Sequence, residues 1–262
     1  MVAATPTIGV VFRDRSPVEG AYNPVVADGV RWLDYERAAA GEQEGRQGAQ
    51  AQEREPLDWF DRADRPPRLS GCRPYGMPGG LARPDPQAER DLARALPPGT
   101  RFADPRSTWV RLINAEGPAG DPFRAGNAAD CALAVVSTWH GEPAVAAPRQ
   151  PEYDRVGRPL LTGETGAASR MQTWLGQPLV SEGPGRQACA SISGRLLEAG
   201  HGACAVLVGR WSTGGSHAWN AVNHHGEVIW IDAQRGLPAV EPCYPSAAEL
   251  FCAVLDRRGR AG

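Results

Sequence analysis

The stretch from Asn127 to Gly141 constrains the fold more than any other part of the chain. Ala128, Cys131, Ala132, Val135 and Trp139 recur at helical spacing, and most positions between them are apolar too. A helix that is apolar nearly all round cannot lie on a surface; other elements have to enclose it. Its ends are marked. Asn127 is suited to an N-cap, Asp130 brings negative charge to the first turn, and Gly141 stops the run.

The neighbouring segments supply candidates for that enclosure. Helical patterns cover Ala167 to Leu175, ended by Gly176-Gln-Pro, and Gln187 to Ala199, ended by Gly200-His-Gly. The Gly/Pro break between them reads as loop. Upstream, a short helix from Asp91 to Leu96 ends at Pro97-Pro98-Gly99, and Trp109 to Ile113 leads into a turn-rich loop. Towards the C-terminus the pattern changes to strands: Ala203 to Val208, His217 to Asn223, Glu227 to Asp232 and Phe251 to Leu255. The middle two are expected to form a hairpin through a turn over Asn223 to Gly226. Weak alternation in Val228-Ile229-Trp230-Ile231 suits a strand buried on both faces. Helices first and an antiparallel sheet afterwards make the fold class α+β.

Residues 1–99 are harder to organise. One helix is expected from about Val25 to Ala40, followed by a solvated linker over Gly41 to Glu55, and Arg65 to Arg83 is dense in Pro, Gly and Arg. The expected division is therefore an irregular N-terminal extension, 1–99, and a folded domain, 100–262.

Formal net charge is −2, and all 28 basic residues are Arg. No global field draws in nucleic acid or an anionic membrane surface. No apolar run reaches the roughly 18 residues of a membrane helix, and the start lacks the basic, apolar and cleavage regions of a secretory signal. The expected location is the cytoplasm of the producing cell, or outside it by a non-classical export route. Six cysteines (Cys72, Cys131, Cys189, Cys204, Cys243, Cys252) show no repeated CxxC spacing. They suggest neither a disulfide scaffold nor a zinc site, and no metal or cofactor is expected. Most read as small buried hydrophobes.

Cys131 has a second reading. A cysteine in the first turn of a buried helix lies near unpaired backbone N–H groups and the positive end of the helix dipole, both of which favour thiolate. His217, in Gly214-Gly215-Ser216-His217-Ala218-Trp219, stands at the start of a strand. Counting outward from the expected turn, residue i pairs near 449 minus i, which sets His217 opposite Asp232. A carboxylate beside an imidazole fixes its tautomer and steadies the imidazolium, the orienting role in a nucleophile–base–acid triad. Asp232 has the alternative of ending its strand by accepting turn N–H bonds. Asn127 and Gln234 are side-chain amides suited to an oxyanion or to orienting a substrate carbonyl, or else to capping and turn formation. His224 and His225 read as turn residues, and Trp219 and Trp230 as sheet packing.

Several of these words together resemble one family. They are NAADCALAVVSTWHGEPAVAAPR from Asn127, ASRMQTWLGQPL from Ala168, AGHGACAVLV from Ala199, GGSHAWNAVNHHGEVIWIDAQRG from Gly214 and LFCAVLDRRGR from Leu250. Over about residues 100–258 the chain resembles the papain-fold toxin glutamine deamidases found at the C-termini of bacterial polymorphic toxins. The resemblance implies a papain-like cysteine hydrolase fold, with N-terminal helices packed on a C-terminal antiparallel sheet. It implies hydrolysis of a glutamine side-chain amide of a target-cell protein through a cysteine thioester, and an immunity protein as a possible partner. Nucleic acid and membrane are not among the expected partners.

The family pattern commonly reads Asn-Cys-x-x-Cys at this helix start, and position 128 is Ala here. If the nucleophile belongs at the second cysteine, the catalytic set is Cys131, His217 and Asp232. If it belongs at 128, the chain is an inactive binding module that keeps the fold. A cysteine protease is a further alternative, because the same triad cleaves backbone amides.

Overall fold

The computed structural model describes residues 57–115 and 117–262. The helix expected at 25–40 and the linker at 41–55 lie outside the described residues. In chain order the elements are α1 (Pro86–Ala95), α2 (Trp109–Ile113), α3 (Ala128–Trp139), α4 (Ala167–Leu175), β1 (Val180–Gly183), α5 (Gly185–Ala199), β2 (Cys204–Arg210), β3 (Ser216–His224), β4 (Glu227–Asp232), β5 (Leu237–Ala239) and β6 (Glu249–Leu255). Helix α1 starts earlier than expected because Asp85 caps it, accepting from the Gln87 N–H at 2.9 Å, with Pro86 at the first helical position.

The strands form one sheet in the order β1-β6-β2-β3-β4-β5, with every neighbouring pair antiparallel. The α+β class holds. Two edge strands were not expected. β1 falls in the Gly/Pro break, and β5 is three residues around Pro238, too short for a periodic signal and of a kind tolerated only at an edge.

Alternation along the strands divides the core in two. Cys204, Val206, Ala218, Val222, Ile229 and Ile231 face the side that holds α3. Ala205, Leu207, Trp219, Ala221 and Trp230 face the side that holds Ala188, Ile192 and Leu196 of α5. A sheet covered on both faces needs apolar residues at consecutive positions, which is why β4 alternates so weakly. Helix α3 is enclosed as its composition requires: Ala129 to Trp139 are all buried.

Residues 57–99 do not stand apart from this core. Trp59, Phe60, Leu69, Leu92 and Leu96 are buried in the α3-side cluster, and a compact unit runs from Leu57 to Gly262. The Trp59 N–H donates to the Arg257 carbonyl at 3.0 Å, so the beginning of this unit is bonded to its last strand's exit.

The β3–β4 hairpin is tighter than expected. His224 pairs with Glu227 and Asn220 with Ile231, so paired numbers sum to 451 rather than 449. The turn is the two-residue His225-Gly226, with φ of 52° and 86°, the two positive values a type I′ turn requires. A slip of two residues keeps every side chain on the same face, so the expected neighbours stay neighbours.

Candidate active site

Asp232 follows directly after the Asn220–Ile231 pair, and continued register would set it across from Trp219. His217 is two residues further along β3 on the same face, and its Nε2 reaches Asp232 Oδ2 diagonally at 3.0 Å. Asp232 is 2% exposed. Burial alone would raise its pKa, but hydrogen bonds from His217 and Tyr244, the charge of His217 and the Arg235 N–H outweigh burial and hold the carboxyl below its ordinary range. An ionised carboxylate can only accept, so Nε2 carries a proton in either charge state of His217, and in the neutral imidazole Nδ1 keeps the lone pair for other work.

A cavity of about 240 Å³ opens between the start of α3 and the start of β3. Ala128 and Ala129 line it from the helix, Met171 from α4, and Ser216, His217 and Ala218 from β3. Consecutive strand residues point to opposite faces, so a cavity touching all three wraps round the first residues of β3, which pair with β2 and extend beyond the register with β4.

Cys131 is not on this wall. It is 1% exposed, and its Sγ lies 3.5 Å from Asn127 Oδ1. Burial first, then the charges of Asp130 and Asp232, push its thiol well above the ordinary range. Three residues along a helix is about 4.5 Å of rise, enough to carry a side chain from the mouth of α3 into the core. Of the residues expected to act together, His217 and Asp232 are brought into contact, and Cys131 is enclosed apart from the cavity. Ala128 occupies the helix position beside it.

Asn127 and Gln234 are adjacent, but their N–H groups are used within the protein. Asn127 Nδ2 donates to Asn114 Oδ1 at 2.8 Å and to the Ala147 carbonyl at 3.0 Å. Gln234 Nε2 donates to the Ala125 carbonyl at 2.9 Å and to Asn127 Oδ1 at 3.3 Å. Neither amide offers an N–H to an oxyanion; together they tie the helix start to the residues after β4. Asn127 occupies the N-cap position of α3, yet its side chain caps nothing, which leaves the first N–H groups of the helix without the expected side-chain acceptor.

Two residues near the site have partners that the sequence pattern did not show. Asp130 is fully buried and accepts from Arg73 at 2.8 Å, Arg170 at 3.0 Å and the Ala147 N–H at 2.7 Å. A carboxylate inside so apolar a helix needs cationic partners, and that was its available signal. Tyr244, whose hydroxyl donates to Asp232 Oδ2, lies in a Pro-rich loop with no pattern to flag it. Among the described residues, no group of three or more His, Cys, Asp or Glu is placed to hold a metal ion.

Residues 126–237 match the family model described as papain fold toxin 1, glutamine deamidase. That span contains the helix start, His217, Asp232 and Gln234. No curated protein and no solved structure matches the chain.

Proposed function

With residues 126–237 belonging to the papain fold toxin 1, glutamine deamidase family, we propose that the cavity at the mouth of α3 receives the side-chain amide of a protein-borne glutamine. We further propose that position 128 is the seat of the nucleophilic sulfur. In this chain the seat holds alanine, so the domain engages a glutamine without hydrolysing it. One observation carries this reading: Ala128, and not Cys131, shares a cavity with His217.

The chemistry supporting the assignment is that of a thiol at 128. Its proton passes to His217 Nδ1, and the thiolate attacks the carboxamide carbon. The uncapped N–H groups at the start of α3 hold the oxyanion. The imidazolium then protonates the departing nitrogen as ammonia, leaving a thioester. Water, giving its proton to His217, hydrolyses the thioester to glutamate and restores the thiol. Asp232 keeps the imidazole oriented through both halves. With Cys131 enclosed and its thiol held protonated, this sequence lacks its first step in the chain as it stands. The wider role we propose is that of a bacterial toxin effector domain, with a protein of the recipient cell as target and an immunity protein as antagonist.

The test compares the chain as it stands with Ala128→Cys, each incubated with a total protein extract from a sensitive host and each expressed in that host. Ala128→Cys is expected to release ammonia and to convert glutamine to glutamate without chain cleavage. The unsubstituted chain is expected to do neither. Adding Cys131→Ala to Ala128→Cys should leave the gain intact. Deamidation by the unsubstituted chain that Cys131→Ala abolishes would return the nucleophile to Cys131. New peptide ends would instead indicate a protease.

A further inference from the structure

The loop between β5 and β6 returns across the outer side of the His217–Asp232 pair and presents Tyr244 to it. Three features of this residue converge. Its hydroxyl donates to Asp232 Oδ2, the same oxygen that accepts from His217 Nε2. Its ring stands edge-on to the imidazole at 5.2 Å and to Trp219 at 5.0 Å, which screens the pair from water on that side. Its backbone sits in the left-handed region at φ 54°, uncommon for a bulky residue and sustained only where the surroundings over-determine it.

We propose that Tyr244 is a positioning residue, which holds the Asp232 carboxylate so that His217 keeps its proton on Nε2 and turns the Nδ1 lone pair to the reacting group. Tyr244 is not on the wall of the cavity, so it acts through the pair and not on a substrate. Its neighbours make the role specific. The Arg235 guanidinium lies 5.5 Å from the centroid of the Tyr244 ring, and its Nε is 3.7 Å from Asp232 Oδ2. Arg235 is therefore the group placed to draw the carboxylate away from His217 when the hydroxyl is removed. Burial and the adjacent carboxylate raise the pKa of the Tyr244 hydroxyl, so it remains a donor well into the alkaline range.

The imidazole assignment can be read without any activity. In the chain labelled with ¹⁵N-histidine, long-range ¹H–¹⁵N spectra at alkaline pH should show His217 with a protonated Nε2 and an unprotonated Nδ1. Tyr244→Phe keeps the ring and removes only the hydroxyl; it should move both nitrogen shifts towards a tautomer mixture. Arg235→Gln in the Tyr244→Phe background should bring them back. Identical shifts in the unsubstituted chain and Tyr244→Phe would overturn the proposal. A second measurement needs no substitution: the Tyr244 hydroxyl proton should be protected from exchange and show a nuclear Overhauser contact to the His217 Nε2 proton, and its absence would also count as failure. The kinetic consequence rests on the proposed function. In an Ala128→Cys enzyme, Tyr244→Phe should lower kcat about tenfold with KM unchanged, a part of the roughly 10²–10⁴-fold that a positioned general base supplies. An Ala128→Cys enzyme with no activity would defeat that functional reading while leaving the spectroscopic result to decide the role of Tyr244.

Discussion

His140, at the end of α3, shows how strongly this core selects one protonation state. Its ring stacks on Phe60 at 5.2 Å, meets Trp59 and Phe102 edge-on, and has no partner at Nδ1. Burial pushes its pKa down to about 3, far below the unfolded value, so the unfolded chain binds the extra proton first. The stability due to neutral His140 is complete above about pH 6.5 and is lost as pH falls from there towards 3, at up to about 1.4 kcal/mol per pH unit. Urea unfolding between pH 7.5 and 4.5 should show this loss, and His140→Phe should show a shallower one. Cys131 gives a second prediction. Under native conditions it should resist alkylation, whereas the thiol introduced by Ala128→Cys should react rapidly and with a depressed pKa, as mass spectrometry of labelled peptides would reveal. The sequence made His217 and Asp232 legible because strand alternation survives an error of two residues. It could not separate 128 from 131, because both project from a similar side of one helix and differ only in depth.

At the scale of elements, the sheet depends on close approach at one glycine. Gly209 of β2 pairs with His217, and a Cβ there would stand 2.7 Å from the Trp219 ring and 3.3 Å from Leu250 Cδ2. Gly209→Ala should therefore cost about 1–3 kcal/mol in chemical denaturation, the usual penalty for overpacking a fixed core. It should also disturb the His217 resonances, because the displaced indole is the one that stacks on that imidazole. Helix α4 was read with its observed bounds, since Gly166 and Gly176 flank it in left-handed conformation. The edge strands β1 and β5 were not legible: their hydrogen bonds come from distant partners, and four or three residues give no periodicity to detect.

Across the whole molecule, Asp130 fastens three distant parts of the chain. Arg73 comes from the segment before α1, Asp130 from α3, and Arg170 from α4, where it also holds Glu164 at 2.5 Å. The Arg73 side chain is 2% exposed and the Asp130 side chain 0%, so removing the anion strands a buried cation. Asp130→Asn should destabilise the domain by about 3–5 kcal/mol, and Arg73→Met should recover part of that loss in a double-mutant cycle by equilibrium unfolding. Residues 57–99 were read as an extension because Trp59 and Phe60 are isolated aromatics among Pro and Arg, with no amphipathic pattern around them. Their place in the core depends on partners, His140 and Trp174, far along the chain.

The bond from Trp59 to Arg257 has an engineering consequence. Because the unit's first and last segments are side by side, a short glycine linker should join residue 262 to residue 57 with little loss. New termini would then be opened at the exposed turn 154–158. A permuted protein of this kind should retain cooperative melting and the His217–Asp232 contact, since the order in which the chain visits this core would matter less than which surfaces it brings together.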